Sequence, residues 1–436
     1  MTRMNRADNQ REFAVEVVRR LQDAGFRALW NGGCVRDFLM GRTPKDYDVA
    51  TDARPDAVRD LFGRRRTLAV GASFGVIIVL GPKQAGNVEV ATFRTEGPYL
   101  DGRRPEHVDF ATPEEDAQRR DFTINGMFYD PISEQVHDYV GGEQDLAAGI
   151  VRAIGRPADR MTEDKLRMLR AVRFAATLDF QLDPATADAV RAMAPEIHVV
   201  SAERIAQELK KMLVDPHRRR AMELAHETHL LLEIIPELQP VLEAPDGVAW
   251  EATLRRLRLL QDPKFELAAA ALLAGIPHVA AGPRAPGKKG AVVHDICKRL
   301  RLSNQKCESI EWLLAQLPEV LASTTKSLAQ LKRMLSHSDA RDLLELARAD
   351  RLASDGDLSG VMHCEELLRR TPPEKLDPPP LVTGDDLIAL GLQPGKRFRE
   401  ILDEVREAQL NDELTTPDEA MRLVERLIAN PPERGT

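Results

Sequence analysis

Residues 11–24 carry Phe13, Val15, Val17, Val18 and Leu21 at helical spacing, and this face predicts an amphipathic helix. Ala28-Leu29-Trp30 is an apolar run that the paired glycines Gly32-Gly33 break, as at a strand end. Cys34 to Met40 reads as a short helix with Val35, Phe38 and Leu39 on one side, and Gly41–Lys45 as a turn. Asp46-Tyr47-Asp48 then runs into Val49-Ala50 as a second strand, and Thr51-Asp52 is placed to cap a helix over Pro55–Phe62. Thr67–Val70 and Phe74–Leu80 are strand-like. Val88–Phe93 alternates, with Val88 and Val90 on one face and Glu89 and Ala91 on the other.

Residues 94–118 are polar, rich in Gly and Pro and aperiodic, which predicts a long loop. Phe128-Tyr129, Asp138–Gly142 and Val151–Ile154 close the mixed part of the chain. From Thr162 the spacing is helical almost to the end. It is interrupted at Asp183-Pro184, Asp215-Pro216 and Gly282–Gly290, and at Thr371–Pro380, which reads as a linker. The pattern is that of an α/β head followed by an all-helical remainder.

Composition narrows the function classes. A length of 436 residues predicts two to four domains with ample core. A net charge of −8 argues against a general nucleic-acid coat, so any RNA site must be a local basic surface on an acidic body. The four cysteines are scattered without a C-x-x-C pair, consistent with a reducing compartment and giving no support for a disulfide framework or zinc ribbon. The N-terminal stretch lacks an apolar signal region, and the longest charge-free apolar run, Leu267–Pro283, is interrupted by Pro277. The expectation is a cytoplasmic protein with no membrane association and no evident obligate protein partner.

The chemistry concentrates in residues 31–49, NGGCVRDFLMGRTPKDYDV. Residues two apart on a strand share a face, so Asp46 and Asp48 project together. Two adjacent carboxylates repel unless a cation neutralises them, and oxygen-only ligands suit Mg²⁺. Glu89, on an expected neighbouring strand, is a candidate third carboxylate, or a sheet-edge glutamate facing water. Gly32 and Gly33 let backbone approach a phosphate at a helix start, and Arg36 follows one turn in. An anion cradle followed by a carboxylate pair is a phosphoryl-transfer arrangement. Either part alone is equally a glycine turn with a solvated acidic strand end.

A second constellation is EDKLRMLRAVRF at 163–174. Asp164, Arg167, Arg170 and Arg173 recur every three residues on one expected helix, beside an apolar row of Leu166, Leu169 and Val172 with Phe174. Such a row can face one extended polyanion, or form ordinary i,i+3 ion pairs. Cytosine and adenine share an edge on which an exocyclic amine sits beside an unprotonated ring nitrogen. An aspartate accepting from the amine and an arginine donating to the nitrogen accept both bases and leave guanine and uracil unmatched. Asp164 and Arg167 fit those roles, with Arg170 and Arg173 left for phosphates or for bracing the pair.

These motifs together resemble the class II tRNA nucleotidyltransferases, the family of bacterial CCA-adding enzymes and poly(A) polymerases. The matching pieces are GGCVRD (32–37), DYDVAT (46–51), VEVATFRTE (88–96), RRDFTIN (119–125) and EDKLRMLRAVRF, over roughly the first 215 residues. Lys165 stands where the family usually has proline. The resemblance implies a polymerase-β-like head with a mixed sheet (1–150), then a helical neck (151–220), body (221–370) and tail (371–436). It implies two Mg²⁺ ions on Asp46 and Asp48. The incoming nucleotide would meet Gly32, Gly33 and Arg36, its triphosphate Arg119 and Arg120, with Asp121 and Asn125 in the same motif. Asp164 and Arg167 would template the base, aided by Arg170 and Arg173.

The implied reaction is untemplated addition of C and A to a tRNA 3′ end from CTP and ATP. An A-adding specialist, a poly(A) polymerase and a tRNA-binding protein that has kept the fold are the alternatives. YLDGRRP (99–105) resembles the flexible loop of full CCA-adding and A-adding members, which makes 98–115 the expected lever between C and A. Poly(A) polymerases typically carry a basic stretch where this chain has Val70–Ile77, which favours tRNA. Pro394-Gly395 opens a helix with Lys396, Arg397 and Arg399, a candidate phosphate contact in the tail or an ordinary capped helix. The run LAAAALLAGIPHVA (267–280) lacks the His-Asp pair of a metal phosphohydrolase module.

Overall fold

A computed structural model describes residues 6–71, 75–96, 108–277 and 292–429. The chain divides into two compact units, 1–236 and 237–436.

The first unit is built on a seven-stranded sheet in the order β3-β4-β5-β2-β1-β8-β9. The strands are β1 (Ala28–Asn31), β2 (Asp48–Thr51), β3 (Thr67–Gly71), β4 (Val76–Leu80), β5 (Asn87–Thr92), β8 (Phe128–Asp130) and β9 (Gln135–His137). Two further strands, β6 (Arg94–Glu96) and β7 (Val108–Phe110), form a separate antiparallel ladder. Within the sheet, β2 and β5 run parallel, whereas the other pairings are antiparallel.

Burial on both faces explains why Ala28-Leu29-Trp30 reads as an unbroken apolar run. On one face Trp30, Val49, Ile77, Val88 and Val90 pack with Phe13, Val17 and Leu21 of α1 (Arg6–Asp23). On the other, Leu29 and Ala50 meet Phe93, Ala117 and Phe128. Helices α2 (Gly33–Leu39) and α3 (Pro55–Phe62) fall where expected, but Arg54 rather than Thr51 or Asp52 holds the N-cap position of α3. Those two side chains are used elsewhere: Thr51 accepts from Ala53 N–H, and Asp52 from Arg27 N–H.

The long-loop expectation for 94–118 is corrected at both ends. Strands β6 and β7 flank residues 97–107, which lie outside the described residues, and α4 (Pro113–Gln118) follows. Thr112 and Glu115 close a reciprocal capping box on α4. Helix α5 (Gly142–Ala148) then starts against the turn Thr123–Asn125. A Cβ on Gly142 would sit 2.4 Å from the Thr123 carbonyl oxygen and 2.6 Å from Met127 Cγ.

The remaining helices of this unit are α6 (Pro157–Glu163), α7 (Leu166–Leu178), α8 (Pro184–Met193), α9 (Ala202–Leu213), α10 (Arg218–Glu227) and α11 (Leu230–Ile234). A two-residue parallel pair, β10 (Ile150–Val151) and β11 (Gln181–Leu182), ties the start of this helical part to its own middle.

The second unit is helical throughout its described residues. Phe265–Leu273 is almost wholly buried, as its charge-poor sequence requires. Arg256 and Asp350 form a buried ion pair at 2.9 Å between Val248–Leu259 and Ala340–Ala353. Near the C-terminus, Val382, Leu387, Ile401, Val405, Ala420 and Val424 make a small core. The segment 371–380 is not a free linker: Arg406 donates to the Pro378 carbonyl at 2.7 Å, and Gln409 Nε2 to that of Pro379 at 2.8 Å. Nor are the cysteines all scattered in space, because Cys297 and Cys307 lie near enough for each thiol to affect the other's titration. Among the described residues no helix is long and apolar enough to cross a membrane.

Gly142→Ala forces α5 off a backbone carbonyl that has no room to move. The expected cost is roughly 1–3 kcal/mol, read as a lowered denaturation midpoint with an unchanged m-value.

Candidate active site

The turn between β1 and α2 depends on Gly32, whose φ of 70° and ψ of −133° suit a residue without a Cβ. Gly33, by contrast, has ordinary room: a Cβ there would lie 3.7 Å from Arg36 Nη2. The conformational demand of the pair therefore falls on Gly32, which also sits beside Arg120.

Strand β2 begins at Asp48, so Asp46 stands in the bend before it rather than within the strand. The alternation survives the correction. Tyr47 is buried against Trp30, with ring centroids 4.7 Å apart, while Asp46 is exposed and Asp48 half-buried. Because β2 and β5 pair in parallel, Asp48 lies directly opposite Glu89. Asp46, Asp48 and Glu89 line one cleft of about 830 Å³, with Lys45, Gln10 and Asn87 at its walls. Burial, followed by the charges of Glu89 and Asp46, pushes the Asp48 carboxyl up to about 6, with Arg120 pulling the other way. Three carboxyls held together at this energetic cost are an oxygen donor set suited to a hard divalent cation. Cys34 lies behind them with its thiol on the Asn31 carbonyl oxygen at 3.1 Å, and burial pushes it up to about 12, so it is no nucleophile.

A chain of polar contacts leads from α2 to α7. Arg36 is buried; its Nη1 donates to Asn125 Oδ1 at 2.8 Å and its Nε to Asp37 Oδ1 at 2.9 Å. Asn125 Nδ2 donates to Asp121 Oδ1 at 3.1 Å, and Arg170 Nε to Asp121 Oδ2 at 2.8 Å. Burial alone raises the Asp121 carboxyl, but Arg170 and Asn125 outweigh it and hold it below the usual carboxylate range. Arg36, Arg170 and Arg173 also surround the Phe174 ring, at 5.1, 5.2 and 3.9 Å from its centroid.

The expected single helix over 163–174 is broken. Helix α6 ends at Glu163, Asp164 is extended with φ −142° and ψ 105°, and α7 starts at Leu166. Asp164 therefore caps α7 instead of joining a row along it: Oδ1 accepts from Leu166 N–H at 3.0 Å and Oδ2 from Arg204 at 2.7 Å. The apolar side is buried as expected. The arginines are not an open basic face. Arg167 is buried and donates to Glu163, the Arg160 carbonyl and the Arg119 carbonyl, and Arg173 pairs with Glu208. Neither contact braces the Asp164–Arg167 pair: the acceptor of Arg170 is Asp121 and that of Arg173 is Glu208.

Three partners went unread in the sequence. Asp116 gives one oxygen to Arg119 at 2.6 Å and the other to Arg120 at 2.8 Å, and its D-x-x-R-R spacing on a helix was a usable signal. Arg204 and Glu208 carry no local signal, because each meets its partner from another helix. In the second unit, Lys396 and Arg399 are exposed at the start of Lys396–Leu410, whereas Arg397 turns inward to the Leu427 carbonyl.

Comparison with known proteins agrees with this geometry. Residues 29–152 match the "Poly A polymerase head domain", and 179–242 match the "Probable RNA and SrmB- binding site of polymerase A". Over these stretches the chain is similar to poly(A) polymerases and CCA-adding enzymes.

It is 45% identical over 222 residues to the CCA-adding enzyme of Bacillus subtilis, covering 51% of this chain and 55% of that one. It is 41% identical over 239 residues to poly(A) polymerase I of Salmonella typhi, covering 52% of this chain and 50% of that one. The matched stretch thus spans about half the length of these curated relatives. The crystal structure of the Bacillus stearothermophilus CCA-adding enzyme in complex with CTP superposes with a TM-score of 0.74 at 27% identity, over 96% of this chain and 98% of that one.

Asp121, Asp116 and Glu208 are all held below the usual carboxylate range by their arginines, against the opposing effect of burial. Each contributes stability that is present at neutral pH and lost as pH falls through the depressed native value. Asp121→Ala is expected to lower stability by roughly 1–3 kcal/mol at pH 7, because it removes the buried acceptor that the half-buried Arg170 and the buried Asn125 share. The gap from wild type should begin to narrow below about pH 4, where the unfolded carboxyl protonates, and close as pH falls through the depressed native value. Urea denaturation at a series of pH values reads both effects.

Proposed function

We propose that this protein adds C and A nucleotides to the 3′ end of tRNA from CTP and ATP, without a nucleic-acid template. The observation that carries the reading is the placement of Asp48 opposite Glu89, with Asp46 in the same cleft and an arginine-lined segment beside it. The first unit's match to CCA-adding relatives supports it.

Asp46 and Asp48 would hold two Mg²⁺ ions, with Glu89 as a further carboxylate; such ions supply Lewis acidity toward the terminal 3′-OH and charge neutralisation at the departing pyrophosphate. The chain's own residues position the reactants. Gly32 and Gly33 keep the cradle free of side chains, and Arg36 is held in place by Asn125 and Asp37. Arg119 and Arg120, spread on the two oxygens of Asp116, are set to receive a triphosphate without rearranging. Asp164 and Arg167 read the base edge shared by C and A, and Arg204 holds the Asp164 carboxylate in place.

The chain is read as head, neck, body and tail with boundaries near 150, 220 and 370, and Lys396, Arg397 and Arg399 belong to the tRNA-gripping tail. A poly(A) polymerase is the second reading, favoured by the Salmonella relative.

Purified protein incubated with Mg²⁺, labelled CTP and ATP, and tRNA ending before the CCA should add C, C and A and stop. Addition of A alone, and only to CC-ended tRNA, would mark an A-adding specialist. Long A tracts on an unrelated oligoribonucleotide would select the poly(A) reading, and no incorporation a binding protein. Asp48→Ala should abolish incorporation while tRNA binding persists; surviving turnover sinks the metal assignment. Asp164→Ala should admit UTP and GTP, and unchanged rejection of both refutes the base-reading role.

A further inference from the structure

Away from the active site, two helices of the second unit bring an imidazole, a thiol and a carboxylate together, with a second cysteine nearby. On Val292–Arg299, His294 and Cys297 are three residues apart and share a face. On Asn304–Leu321, Cys307 and Glu311 are four apart and share another. The ligand atoms of His294, Cys307 and Glu311 lie within 4.8 Å of one another. His294 Nδ1 is 3.0 Å from Glu311 Oε1 and 4.0 Å from Cys307 Sγ, and Cys307 Sγ is 3.9 Å from the same Glu311 oxygen. Cys297, buried one turn beyond His294 and near enough to Cys307 for each thiol to affect the other's titration, is the candidate fourth ligand.

We infer that His294, Cys297, Cys307 and Glu311 form a structural zinc site that clamps these two helices together. Tetrahedral zinc, with bonds of about 2.3 Å to sulfur and about 2.0–2.1 Å to nitrogen or oxygen, spaces its ligand atoms roughly 3.3–3.6 Å apart. The three separations bracket that range, so rotamer adjustments of a few tenths of an ångström bring His294, Cys307 and Glu311 into place, and Cys297 turns in to complete the shell. Sulfur and imidazole ligands select zinc over the hard cations suited to the Asp46/Asp48 cleft. Two thiolates and one carboxylate offset the ion's charge.

Burial suits the structural role as well. Cys297 and Cys307 are 1% and 7% exposed, which closes the sulfur side against water. The His294 and Glu311 side chains, 25% and 32% exposed, leave a path by which the ion enters. In sequence the motif is H-x-x-C followed, after nine residues, by C-x-x-x-E. It escapes a search for C-x-x-C because each helix contributes one cysteine.

The test uses the untagged full chain, equilibrated with zinc and desalted. Elemental analysis should find about one zinc per chain, retained in Asp46→Ala/Asp48→Ala and lost in Cys297→Ser/Cys307→Ser. Cobalt in place of zinc should give thiolate-to-metal charge-transfer bands and the visible bands of a tetrahedral ion, and both should vanish in the double serine variant. Glu311→Gln, which keeps both thiols and the packing, should weaken zinc affinity by at least about tenfold. Zinc content unchanged in the double serine variant overturns the site, as does wild-type protein with no thiolate–cobalt bands. A Cys297–Cys307 disulfide that persists in freshly reduced and desalted protein also overturns it.

Discussion

The carboxylate of Asp121 holds the first unit in register with itself. It is buried in a place where a lone charge would be untenable, so it exists there only because Arg170 and Asn125 surround it. Through Asn125 it fixes Arg36 on the turn after β1, and through Arg170 it fixes the face of α7. A strand-turn-helix from the start of the chain and a helix beyond residue 165 are thereby set relative to one another by four hydrogen-bonded side chains. Phe174 fills the centre of the arrangement, with Arg36, Arg170 and Arg173 around its ring. Like charges gathered at one ring would repel, and each is instead met by its own acceptor: Asn125 with Asp37, Asp121, and Glu208.

The sheet performs the complementary task. Its apolar faces are buried on both sides at β1, and that burial supplies the favourable energy against which the cluster of Asp46, Asp48 and Glu89 is unfavourable. The carboxyls gather at the sheet's edge of exposure, where a cation can neutralise them and water can reach them, rather than in the core. Asp116 plays a similar part for Arg119 and Arg120, spreading two guanidinium groups over the two oxygens of one acid.

Much of this was legible in the sequence wherever the deciding interactions are local. The break at Gly32-Gly33, the short α2, the alternation that exposes Glu89 and buries Val88 and Val90, and the helical second half all follow from spacing. The ends of the 94–118 stretch were misread as loop because β6 and β7 are three residues each, too short for a period to register, while the capping box at Thr112 and Glu115 was overlooked. The break at Asp164 was invisible to periodicity, since the apolar row continues through it; what decides it is the Arg204 contact from α9. Cys297 and Cys307 looked unrelated for the same reason, their proximity being a property of two packed helices rather than of either one.

The parallel pairing of β2 with β5 also has a temporal meaning. An antiparallel neighbour can form as soon as a hairpin turns, but β5 reaches β2 only after α3 and the β3–β4 hairpin have been laid down between them. The opposition of Asp48 and Glu89 is thus a long-range contact whose loop-closure entropy must be met before it yields any stabilisation. Because the two carboxyls oppose the pairing, the valines beside them must drive it. The acidic cleft is accordingly complete only once strands far apart in sequence have paired.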